Sequence, residues 1–226
     1  MKTPADVESL TKYISEEIYK AFGLTSSHWL HYLLSPLVRL PAGRFSRIAA
    51  RFDQDVAQSG FREAARRILP YFARDYQETG AEHIPAEGPL LVVSNHPGVC
   101  DSLVIAANIP RPDLKIIATG VDFMRNLPCS AEHRIYVPRD EAGRANVIRQ
   151  AIRHLKANGA LLLFPSGTID PDPALTPEAV QTFEHWSPSV EMMLRYAPQA
   201  RVLLSVVSGV LSSRWWRSPI TYLVGE

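Results

Sequence analysis

A histidine followed five positions later by an aspartate stands in the stretch LLVVSNHPGVCD, Leu90 to Asp101. Imidazole is a general base near neutral pH, because its unperturbed pKa is about 6.5. A carboxylate bonded to one ring nitrogen fixes the tautomer and stabilises the imidazolium that forms. The other nitrogen then takes a proton from a substrate hydroxyl. Pro97-Gly98 predicts a tight turn that folds Asp101 back toward His96. Such a pair needs no nucleophilic side chain when the substrate brings its own hydroxyl. The spacing alone equally fits a surface histidine and an aspartate that caps the next helix, so the surrounding elements must decide.

Leu90 to Val93 is an apolar run of strand type, and the segment after Asp101, SLVIAAN, starts a helix. His96 and Asp101 therefore fall between the carboxyl end of a strand and the amino end of a helix. In open α/β sheets ligands bind there, and free backbone N–H groups can meet an anion there. The chain from residue 78 onward alternates in the same way. Short strands are predicted at Leu114 to Ala118, Ile135 to Val137, Ala160 to Phe164 and, as a final buried strand, Val202 to Val207. A helix capped by Asp140 and closed by Asn158-Gly159 carries Ile148, Ile152 and Leu155 as its stripe. The run VDFMRNLPCSAEH reads as irregular or weakly helical, Thr176-Pro177-Glu178 as a capped helix start, and Val190, Met193, Leu194 and Ala197 as a last helical stripe. The predicted fold is α/β, a mixed but mostly parallel sheet flanked by helices.

The first 77 residues are different. Apolar residues at helical spacing predict helices over 5–22, 42–57 and 61–72, the last with Phe72 inward. Between them Ser26-Ser27 caps a short apolar helix interrupted near Pro36. Gly23 ends the first. Two units are expected: a helical subdomain over 1–77, serving as membrane platform or lid, and an α/β domain over 78–226. Eight arginines and only three acids lie between Arg39 and Arg74. That bias suits an anionic membrane surface or a plain solvated face. Trp215 and Trp216 beside Arg214 and Arg217 suit an interfacial patch or the core.

Composition sets limits. A net charge of +1 over 226 residues gives no sign of nucleic-acid binding. The two cysteines, Cys100 and Cys129, form no CxxC pair, so a reduced, cytoplasmic compartment is expected. No apolar run approaches the roughly 18 residues of a membrane span. The expected location is peripheral, at the inner face of a membrane.

Three blocks then line up: SNHPGVCD, IYVPRD (Ile135 to Asp140) and LLLFPSGT (Leu161 to Thr168). In that order and at those intervals the chain resembles the glycerophospholipid acyltransferase family, whose members include glycerol-3-phosphate and lysophosphatidic acid acyltransferases. Asn95, His96 and Asp101 match its NHx4D block. Arg139 matches the arginine that ends its second block. Phe164, Pro165, Gly167 and Thr168 match its third, usually FPEG-T-R-S, and Val202 to Val207 falls where a fourth apolar block belongs. The likeness covers about residues 85 to 210. It implies transfer of an acyl group from a thioester, acyl-CoA or acyl-carrier protein, to a hydroxyl of a lysophospholipid or glycerol-phosphate-like acceptor, with no cofactor beyond these substrates. His96 and Asp101 would be catalytic. Arg139, Ser166, Gly167 and Thr168 would hold the acceptor, with Asn95, Phe164 and Pro165 in support. Backbone N–H groups near Gly167 would serve the acceptor or the oxyanion.

The third block departs from the family pattern. Its glutamate is Ser166 here, its arginine is Ile169, and the fourth block's proline is Ser205. The acceptor is then less anionic, or is held by another residue such as Arg144 or Lys115. Three other readings remain open. One is a lipid- or acyl-binding relative that has lost turnover. Another is a serine-type esterase using Ser166, although PSGT lacks the G-x-S-x-G elbow. The weakest is a metal site of His96, Asp101 and His133, whose spacing is poor for ligation; no metal is expected.

Overall fold

The computed structural model describes residues 5–21, 28–138 and 141–210. Arg139, Asp140, Gly23, the Ser26-Ser27 cap and the Trp215-Trp216 patch lie outside the described residues. The elements are α1 (Val7–Ala21), α2 (His28–Ser59), α3 (Phe61–Ile68), β1 (Leu90–Ser94), α4 (Asp101–Asn108), β2 (Lys115–Thr119), α5 (Asp122–Arg125), β3 (Arg134–Val137), α6 (Glu141–Lys156), β4 (Ala160–Leu163), α7 (Ser189–Tyr196) and β5 (Arg201–Ser205).

The five strands form one sheet in the order β3-β2-β4-β1-β5. Every pairing is parallel; β1 lies between β4 (Leu90 opposite Ala160) and β5 (Leu90 opposite Arg201). β1 is apolar up to Ser94 because both of its faces are covered. Leu90 and Val92 enter a core shared with α2, α3 and α4. Leu91 and Val93 enter a second core with α6 and α7. The helix that follows β1 therefore packs on one face and the helix that follows β4 on the other. The loops leaving these adjacent strands diverge, and a crevice opens outside their carboxyl ends. This is the switch point where open α/β sheets bind ligands.

Four expectations change. The apolar segment from residue 28 and the predicted 42–57 helix are one helix, α2, with Pro36 and Pro41 inside it. Each proline removes a helical hydrogen bond, but burial of Ala42, Ala49 and Leu127 against Leu10 and Ile14 of α1 holds the helix through them. Among the described residues β5 is a sheet edge rather than a buried strand; it ends at Ser205, and Val202 and Leu204 are exposed. Phe72 is exposed beyond the end of α3 and meets Phe45 edge-on. Residues Pro177–His185 wind as a 3-10 helix, and Thr176 makes no side-chain cap.

Polar clamps tie these layers together. Asp53 of α2, 1% exposed, accepts the N–H groups of Cys129 (3.0 Å) and Ser130 (2.7 Å). At the amino ends of the strands, Arg111 forms a bidentate pair with Asp113 (2.8 and 2.7 Å) and donates to Gly88 O and Asn158 O. Asp113 in turn accepts from Ala160 N. One guanidinium thus joins the approaches to β1, β2 and β4.

Candidate active site

The loop after β1 delivers the histidine. Asn95, 1% exposed, anchors it: its Nδ2 donates to Val207 O and its Oδ1 accepts from Val207 N, both at 2.8 Å. The amide thereby continues the β1–β5 ladder one step beyond the last strand pair. His96 Nδ1 lies 3.0 Å from Asp101 Oδ2, which also accepts from Gly98 N at 2.7 Å. Asp101 is fully buried at the first position of α4. Its Oδ1 has no hydrogen-bond partner among the described residues. A buried carboxylate with one uncompensated oxygen is a strong partner for an imidazolium.

With Nδ1–H donated to Asp101, Nε2 carries the lone pair. His96 is a quarter exposed and borders a groove of ≈ 1460 Å³. The ring is stacked on Phe164 at 4.3 Å, so its plane is fixed from the β4 side. Apolar residues line much of the groove, among them Ile117, Val121, Ile148, Leu163, Met192 and Met193. That lining suits an aliphatic chain. Cys100, beside Asp101, is no competing nucleophile: burial, then the aspartate charge, pushes its thiol pKa up.

The structure brings Asn95, His96, Asp101, Phe164, Pro165, Ser166, Gly167 and Thr168 to one mouth, on the two loops that leave β1 and β4. Gly167 sits at φ 69°, where a side chain would be strained. Its N–H closes a turn onto Phe164 O. The N–H groups of Thr168 and Ile169, next to it, have no partner among the described residues. Ser166 Oγ lies 2.9 Å from Thr168 O and 3.1 Å from Asp170 Oδ2, and it makes no hydrogen bond to His96. That arrangement does not favour a serine nucleophile, which needs the base within reach.

Two further residues fall elsewhere. Lys115 opens β2, at the end of the sheet opposite His96, so it cannot hold an acceptor; Arg144 of α6 does border the groove. His133 is half-buried, stacked on Phe61 and 3.1 Å from Leu114 O, and burial pushes its pKa down. No three His, Cys, Asp or Glu side chains among the described residues are grouped to hold a metal. The sequence reading missed Asp170 and Asp172, which are 5% and 1% exposed. Asp170 Oδ2 accepts from His96 N (2.7 Å), and Asp170 N donates to His96 O (2.9 Å). Asp172 accepts from Gly209 N at 2.8 Å. The signal was two acids two apart in a proline-rich loop, IDPDP, beside the third block.

No curated protein and no solved structure matches the chain. A family model described as Acyltransferase matches residues 75–205, which takes in all five strands and both loops of the mouth. With more than half of its length matched, the chain belongs to the acyltransferase family, and it is an acyltransferase.

Proposed function

We propose that the protein moves a fatty acyl group from a thioester, acyl-CoA or acyl-carrier protein, to a hydroxyl of a lysophospholipid or glycerol-phosphate-like acceptor. The observation that carries this reading is the His96–Asp101 pair at the mouth of an apolar groove. Nε2 of His96 removes the acceptor's hydroxyl proton as the oxygen attacks the thioester carbonyl. The tetrahedral oxyanion is met by backbone N–H groups of the Thr168–Ile169 segment. Collapse expels the thiolate, which takes the proton back from the imidazolium, so the enzyme returns to its starting state. Asp101 stabilises the imidazolium between the two transfers. The acceptor's polar head lies over Ser166, Gly167 and Thr168, with Arg139 or Arg144 as cation.

The substrates imply work at a membrane surface. No described helix is long and apolar enough to cross a bilayer. Exposed Val99 and Ile169, which border the groove, and Leu37 and Leu40 of α2 are the residues that would meet lipid. The test is thiol release from a panel of acyl-thioesters, with and without lysophospholipid or glycerol phosphate, by wild type and His96→Ala. Acceptor-dependent release that the variant lacks is expected. Release without acceptor, dependent on Ser166, would show an esterase instead. Tight lipid binding with no release from any pair would leave a binding relative.

A further inference from the structure

The dyad fixes one atom of the His96 ring, but a base must also be fixed at its backbone. His96 lies beyond the last paired residue of β1, so no strand neighbour holds its N–H and C=O. Both are taken by one residue of the other loop, Asp170, through the side chain at 2.7 Å and the main chain at 2.9 Å. The carboxylate is 5% exposed, and its Oδ2 also lies 3.1 Å from Ser166 Oγ. We infer that Asp170 is a positioning residue for His96, clasping its backbone so that Nε2 faces the acceptor hydroxyl. The inference rests on the reading of His96 as general base.

The clasp also accounts for the altered third block. The pattern FPEG-T-R-S has an acid at position 166 and a hydroxyl at 170. This chain has the hydroxyl at Ser166 and the acid at Asp170. The two side chains meet across the turn closed by Gly167 N and Phe164 O. The acid of this pair has changed ends, so Ser166 is the hydroxyl half of the clasp rather than a vacated acid position.

The experiment measures acceptor-dependent transfer and thermal melting for His96→Ala, Asp170→Ala, their double variant, Asp170→Ser and Ser166→Glu/Asp170→Ser. Misplacing a base by about 1 Å costs about 100-fold. Asp170→Ala should therefore lower kcat about 100-fold, leave the donor KM within about threefold, and add nothing in the His96→Ala background. Ser166→Glu should restore Asp170→Ser by about tenfold or more, because it returns the acid to the other end of the pair. Were Asp170→Ala not to fold, Asp170→Glu poses the same question: the extra methylene displaces the carboxylate but keeps its charge, with about a tenfold loss of kcat expected. A folded Asp170→Ala or Asp170→Glu with wild-type kcat, or an Asp170→Ala loss that persists in full without His96, overturns the inference. His96→Ala with wild-type turnover overturns the general-base reading, and this inference with it.

Discussion

The two ends of the sheet carry similar side chains to opposite ends. At the amino ends of the strands, Arg111 and Asp113 satisfy each other and the carbonyls of Gly88 and Asn158. The Arg111 side chain is 4% exposed and its charge is answered on every side described. At the carboxyl ends, Asp101 and Asp170 both bond His96, but two atoms are left over among the described residues: the buried Asp101 Oδ1 and, beside the groove, His96 Nε2. A closed network holds strands together, whereas one with an unsatisfied basic atom at a cavity can do chemistry. Abundance of charge therefore does not mark a site; incompleteness at a cavity does.

Breaking the open network should cost activity above all. His96→Ala keeps the backbone clasp to Asp170 but leaves the buried Asp101 without its ring partner, so melting should fall by about 5 °C while acceptor-dependent turnover falls about 10⁴-fold. A variant retaining a tenth of wild-type kcat would remove the base. Asp101→Asn preserves shape but offers the wrong hydrogen-bond pattern to Nδ1–H. Its kcat should drop about 10³-fold, with donor KM little changed in the same assay.

Breaking the closed network should do the reverse. Arg111→Met leaves the carbonyls of Gly88 and Asn158 without their donor and Asp113, over a third exposed, without its partner, and urea unfolding should show a loss of about 2 kcal/mol. Per folded molecule, turnover should be unchanged; a large kcat effect would erase the contrast between the ends. The smallest effect concerns pH. Hydrogen bonding to Arg111 is the main cause holding the Asp113 carboxyl below its ordinary value. Its contribution is present above the unfolded pKa and lost as pH falls through the lower folded one. The gap in melting temperature between wild type and Arg111→Met should thus narrow between about pH 5 and pH 2. A constant gap would assign the clamp to the carbonyl contacts alone.

What was legible in the sequence follows from contact range. His96 and Asp101 are five residues apart in one loop, so the pair is legible once the strand before it and the helix after it are read. The apolar runs of β1 and β4 are legible because they are buried on both faces. β5 reads much the same yet lies at the edge, because sequence does not reveal which strand lacks a neighbour. The prolines of α2 signal a break that tertiary packing overrides. Asp170 looks like any acid in a turn until the fold sets it against a backbone 74 residues away.

That difference in range also orders events in time. The histidine–aspartate pair is local, whereas its frame spans 74 residues to Asp170 and 112 from Asn95 to Val207. Contacts of such separation form slowly and, on a ribosome, only after the distant segment has emerged. During synthesis the histidine and its aspartate exist well before anything aims them. Competence for acyl transfer should thus appear abruptly, when β5 docks beside β1 and the chain near Val207 closes on Asn95. A nascent chain that has not reached that point would carry the pair without directing it.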